Sequence, residues 1–328
     1  MGGGALRKLI YGLVFLGVLV ALAFAFGPRV AADTKITFDP TSVGTDPDAY
    51  VAKSEAAIPN IRDGMQKEIV WAFPASKAKT PLALVYIHGF SATKGEVRPV
   101  PDLVAKALGA NLFLTRLHGH GQDGAAMAGA SVNDWVNDMA EALAIGHMLG
   151  EKVIVIGTSM GGGLATWAAN DPGLSKQIDG MVLISPNYGV QASGSFILTM
   201  PFGEQLANLI VGKERSFVPV NTLHGKFWTP VYPTKSVLPM AALTKLAVSI
   251  PVEKIKQPAL FIYSETDKVV QPALVKAIAA RWGGPHEIHA LAKNDDPYSH
   301  VIAGDALSPS TTGEVSDLII AWANGLAN

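Results

Sequence analysis

Cysteine is absent from the 328 residues. Its absence excludes disulfides, thiolate metal sites, a cysteine nucleophile and a lipid anchor carried on cysteine. A charge of one sign is lacking too: 26 Lys and Arg face 27 Asp and Glu, for a formal net charge of -1. No run of basic residues is long enough to build the concentrated positive surface that nucleic acid requires, so nucleic acid is not an expected partner. Internal repeats and low-complexity tracts are missing as well. Charged residues make up only 16% and hydrophobic ones 49%, a composition that excludes disorder and supplies a substantial core.

Arg7 and Lys8 precede an uncharged run from Leu9 to Phe26, closed by Gly27-Pro28-Arg29. As a helix this run spans roughly 27 Å, near the thickness of a bilayer's hydrocarbon core. The apolar core of a secretory signal is shorter, about 7–15 residues, which favours a retained transmembrane anchor. Small residues in Ala23-Phe24-Ala25 and Val30-Ala31-Ala32 keep a cleaved signal open. The basic pair before the run is expected on the cytoplasmic side. The remainder is then extracytoplasmic, either membrane-anchored or secreted, and on the periplasmic side in a bacterium. Residues 1–32 read as anchor or signal, 33–63 with Pro40, Pro47 and Pro59 as tether and lead-in, and 64–328 as one α/β domain.

Short, wholly apolar runs recur at 82–87, 112–117, 153–156, 181–184 and 259–263, with a weaker one at 287–291. Strands without alternation suit a sheet covered on both faces, hence a mostly parallel one. Helical spacing lies between them at 134–149, 160–169, 272–282 and 313–326. Alternating strands and helices predict a doubly wound α/β fold. One stretch, about 187–250, breaks the alternation with prolines and large apolar residues and no convincing strand; it reads as a helical insertion between two sheet strands.

Gly157-Thr158-Ser159-Met160-Gly161 matches G-x-S-x-G, after a strand and before a helix. The chain must turn sharply there, and flanking glycines remove the Cβ atoms that would collide. Ser159 is the expected nucleophile. With His88-Gly89-Phe90 after the early strand, Arg116-Leu117-His118-Gly119-His120-Gly121 after the next, and Asp267 and His300 late in the chain, the sequence from about Ile69 onward resembles the α/β-hydrolase superfamily. More narrowly it is similar to the monoglyceride lipase, lysophospholipase and carboxylesterase group, the serine aminopeptidase-like hydrolases. Leu117 stands where that group usually has glycine.

A serine hydroxyl needs a base, and the base an orienting acid, which in this fold follow in the order Ser, acid, His. Glu265 and Asp267 both follow the strand after the insertion, and the family's spacing implies Asp267. Of eight histidines only His300 falls between the last strand and the closing helix, with His289 the main rival. Asp295 and Asp296 flank that loop. The oxyanion hole is expected from the N–H of Met160, directly after the nucleophile. The resemblance implies the N–H of Phe90 as the second donor. No cofactor is expected, and no metal: His88, His118 and His120 lack a fitting carboxylate partner in the sequence. The resemblance makes the insertion a lid, whose apolar residues suit hydrophobic acyl esters. The expected partners are therefore a small-molecule ester, possibly lipid, and a membrane through the N-terminal segment. Two alternatives remain: an amide or peptide hydrolase, and a catalytically silent, membrane-tethered binding protein.

Overall fold

A computed structural model describes residues 3–326. Among these, a seven-stranded sheet organises the molecule. Its strands are β1 (Glu68–Val70), β2 (Thr80–Ile87), β3 (Asn111–Leu114), β4 (Gly150–Thr158), β5 (Gly180–Ile184), β8 (Ala259–Tyr263) and β9 (His286–Ala290). A separate antiparallel ribbon pairs β6 (Glu214–Ser216) with β7 (Val231–Pro233). The sheet order is β1-β3-β2-β4-β5-β8-β9, with every pairing parallel except that of β1.

The helices are α1 (Gly3–Phe26), α2 (Pro47–Ala56), α3 (Val100–Leu108), α4 (Gly124–Met127), α5 (Val132–Leu149), α6 (Met160–Asn170), α7 (Gly203–Val211), α8 (Thr222–Phe227), α9 (Val237–Ser249), α10 (Pro272–Ala279) and α11 (Thr312–Leu326). One face of the sheet packs against α5, α6 and α10, the other against α3 and α11. Residues of β5 and β8 are buried throughout, as strands between two layers must be. The edge strand β9 is covered poorly, and its sequence His286-Glu287-Ile288-His289-Ala290 is correspondingly weak in apolar residues.

The doubly wound fold expected from the alternation is present, with local differences. The strand expected over 112–117 ends at Leu114, because Arg116 turns inward to form a bidentate ion pair with Glu55 of α2, 2.8 Å on each side. The helix expected from 134 starts at Val132, since Ser131 and Asp134 close a reciprocal capping box. Helices α2 and α3 and strand β1 were not expected from the sequence. Within the 187–250 stretch, β6 and β7 were not expected; they lie outside the main sheet. Residues 33–63, read as tether and lead-in, pack on the body: Val43 and Val51 are core residues, and Tyr50 donates a hydrogen bond to Glu141. By contrast α1 touches little of the body, and its window of mean hydropathy 2.7 is wholly unburied.

Strand order places the site. After β2 the chain moves to β3 on one side, then returns through α5 to β4 on the other side of β2. In open α/β sheets the crevice beyond the carboxyl ends of two such strands is where ligands bind.

Candidate active site

Strand β4 runs to Thr158 and α6 starts at Met160, so one residue must reverse the chain. Ser159 takes φ 52° and ψ -116°, a region that side chains rarely adopt. The neighbouring glycines are packing requirements. A Cβ at Gly161 would lie 2.2 Å from the Ile87 carbonyl, and one at Gly157 would lie 2.7 Å from the Gly161 carbonyl. The end of β5 and the residues after it pin the strained turn. Ser159 N–H donates to the Ile184 carbonyl at 2.9 Å, and the Ser159 carbonyl accepts from Asn187 N–H at 2.9 Å.

Two loops from further along the sheet converge on this serine. His300 Nε2 lies 2.9 Å from Ser159 Oγ, and His300 Nδ1 lies 2.8 Å from Asp267 Oδ2. Asp267 follows β8, and its other oxygen accepts from Val269 N–H at 2.7 Å and Val270 N–H at 2.9 Å. Lys268 N–H donates to the Tyr298 carbonyl, tying the acid turn to the histidine loop. Asp296 then shapes that loop from within: its carboxylate accepts from the N–H groups of Tyr298, His300 and Val301. Burial opposes a charged imidazole, but the hydrogen bond and charge of Asp267 outweigh it, aided by Glu96 and Asp296, and the pKa of His300 is raised. The rivals point elsewhere. Glu265 pairs with Lys276 and Tyr263 at the surface, and His289 faces Glu287 on the exposed strand β9.

Phe90 follows β2 and Met160 opens α6, so both residues lie at the carboxyl ends of the paired strands β2 and β4. The first-turn N–H groups of a helix have no intrahelical acceptor, which leaves that of Met160 available. Gly89 comes so close to the elbow that a Cβ on it would lie 3.1 Å from Ser159 Cβ. Its own N–H is taken, donating to Glu96 Oε2 at 2.6 Å. Glu96 is 2% exposed, and burial pushes its pKa up to about 7. Nothing in the sequence marked it: a glutamate in a glycine-containing loop reads as a solvated side chain.

His88 is buried, with Nδ1 against the Gly89 carbonyl and Nε2 accepting from Leu117 N–H. Both ring nitrogens therefore serve the backbone, joining the loop after β2 to the loop after β3. Burial holds His88 well below its ordinary pKa and His120 at about 4, so both are neutral shaping residues.

Above Ser159 and His300 opens a cavity of about 590 Å³. The 187–250 stretch supplies Phe217, Val218, His224, Trp228, Tyr232, Val237 and Met240 to its lining. A second chamber, also about 590 Å³, shares Tyr232, Val237 and Met240 with the first and adds Ile197, Leu198 and Ile210.

Residues 83–214 match the model of a family described by the alpha/beta hydrolase fold. Over 194 residues the chain is 29% identical to a thermostable monoacylglycerol lipase of Bacillus sp. (strain H-257), covering 58% of this chain and 73% of that protein. Among solved structures, one reported for the metagenome-derived lipolytic enzymes LipS and LipT superposes with a TM-score of 0.66 at 21% identity, covering 81% of this chain and all (100%) of that one. A soluble variant of the Saccharomyces cerevisiae monoglyceride lipase, in complex with a substrate analog, gives 0.59 at 12% identity over 82% and 96% of the two chains. At these identities the superpositions speak for the fold.

Proposed function

We propose that this chain, which has the α/β-hydrolase fold and is similar to the monoglyceride lipase and esterase group, is a serine hydrolase of carboxylic esters with Ser159, His300 and Asp267 as its triad. The observation that carries the reading is the run of contacts from Ser159 Oγ to His300 Nε2 at 2.9 Å and from Nδ1 to Asp267 Oδ2 at 2.8 Å. Three side chains far apart in sequence meet in the order that proton transfer requires.

Mechanism follows from that arrangement. His300 takes the Ser159 proton as Oγ attacks the ester carbonyl. Asp267 holds the imidazole with Nε2 unprotonated and stabilises the imidazolium that forms. The tetrahedral oxyanion sits between the N–H groups of Phe90 and Met160, donors fixed before the reaction begins. Collapse expels the alcohol, which takes the proton from His300. Water, deprotonated by the same imidazole, then releases the acid. Base catalysis of this kind contributes about 10²–10⁴-fold.

The two adjoining apolar chambers favour hydrophobic acyl groups as substrate. The 187–250 stretch acts as the lid over them, and α1 anchors the enzyme beside its lipid-like substrates. A fluorophosphonate probe with a p-nitrophenyl ester chain-length series tests the proposal. Label and turnover are expected in the parent chain and absent in Ser159→Ala. Label without ester turnover redirects the reading to amides, and no label at all sinks it.

A further inference from the structure

Glu96 is a buried carboxyl group that the triad mechanism leaves unused. It sits at the end of the loop that begins with His88, yet it is 2% exposed and lines the cavity with Ser159 and His300. One oxygen, Oε2, is shared by two donors: Gly89 N–H at 2.6 Å and Tyr86 hydroxyl at 3.0 Å. Tyr86 Oη also lies 3.3 Å from Thr158 Oγ1, on the residue before the nucleophile. The other oxygen, Oε1, crowds the place where a Gly89 Cβ would stand, at 2.5 Å, while Ser159 Cβ crowds it at 3.1 Å. The carboxyl group therefore lies between the loop after β2, the strand carrying the elbow, and the reacting serine.

We propose that Glu96 is a positioning residue: it clamps the Gly89 peptide and so aims the next N–H along the chain, that of Phe90, at the oxyanion. The proposal rests on the serine hydrolase reading. The Gly89 and Phe90 N–H groups belong to successive peptides joined at the Gly89 Cα, so fixing the first peptide places the start of the second, and Tyr86 ties that fixed peptide to β4. Glutamine at position 96 keeps an oxygen that accepts from Gly89, whereas alanine gives up the clamp.

Glu96→Gln keeps an acceptor and removes the charge. In the full chain, solubilised in detergent micelles, its kcat for a p-nitrophenyl ester is expected to stay within about threefold of the parent. Glu96→Ala removes the clamp as well. Its kcat is expected to fall about 10-fold or more with KM changed less than about threefold, the pattern of lost transition-state stabilisation. A purely structural role gives no rescue of kcat by glutamine in a folded protein. A kcat in Glu96→Gln as low as in Glu96→Ala overturns the proposal, as does a kcat within about twofold of the parent in a folded Glu96→Ala. If Glu96→Ala fails to fold, Glu96→Asp, whose side chain is shorter by one methylene and withdraws the acceptor, takes its place. Failure of the parent chain to label at Ser159 instead sinks the hydrolase reading, and this proposal with it.

Discussion

A serine hydroxyl at neutral pH is a poor nucleophile, and the chemistry assigned to Ser159 depends on how His300 is held. Asp267 has both oxygens committed, one to His300 and the other to two backbone N–H groups, so it cannot rotate away. Asp267→Asn leaves the shape but offers an amide where Nδ1–H needs an acceptor. Turnover is expected to fall by about 10³–10⁴-fold, measured with a p-nitrophenyl ester, while the protein stays folded. The pH dependence has a definite sign. The base works only when neutral, and the pKa of His300 is raised above its ordinary 6.5. Activity should therefore climb with pH through a midpoint above that of a free imidazole, and a midpoint at or below 6.5 contradicts the assigned surroundings of His300.

At the scale of elements, the strand-to-helix turn between β4 and α6 is a tight joint. Gly161 lies where a Cβ would sit 2.2 Å from the Ile87 carbonyl and 2.8 Å from that of His88. Those atoms are backbone at the end of β2 and cannot swing aside. Gly161→Ala should therefore push the loop after β2 away from the elbow, disturbing both sides of the oxyanion hole at once. A loss of about 1–3 kcal/mol in stability is expected from urea unfolding, with ester turnover reduced more than that loss explains. Unchanged stability and turnover would mean that β2 and the elbow are not packed as described. The lead-in segment belongs at this scale as well. Its Glu55 meets Arg116 in a buried, bidentate pair, and Arg116 also donates to the His120 carbonyl. The Arg-Leu-His-Gly-His-Gly motif is thus a structural joint between α2 and the loop after β3.

Across the whole molecule, polarity is distributed unevenly. Helix α1 presents Leu9, Phe15 and Leu19 to its surroundings with no core behind them. Phe202 N–H donates to the Pro28 carbonyl, so the chain leaves α1 alongside the 187–250 stretch. That stretch also carries exposed Phe196, Leu209 and Val218. Removal of residues 1–27 keeps Pro28 and should leave turnover of a soluble short-chain ester within about twofold, since the residues lining the cavity above Ser159 all follow Pro28. The shortened protein should no longer float with phospholipid vesicles in a density gradient. Continued flotation would locate membrane attachment elsewhere, in the apolar residues of the 187–250 stretch.

The apolar runs and their spacing determined six of the sheet's seven strands, all but β1, and the helices α5, α6, α10 and α11, because residues covered on both faces must be apolar wherever the chain leads. The elbow was equally legible: a serine between glycines, where a strand gives way to a helix, is the local pattern that a strained nucleophile turn demands. Candidates for base and acid could be narrowed by chain order, yet only the structure shows His300 rather than His289 against Ser159, and Asp267 rather than Glu265 against His300. Strand order alone decided that β2 and β4 stand side by side, which brings Phe90 and Met160, the two donors proposed for the oxyanion, to neighbouring strand ends. Burial alone revealed Glu96, and it turned Asp296, named in the sequence only as flanking its loop, into the acceptor for Tyr298, His300 and Val301. A carboxylate in a loop has the same letters whether water or the protein surrounds it, and only tertiary packing decides between them.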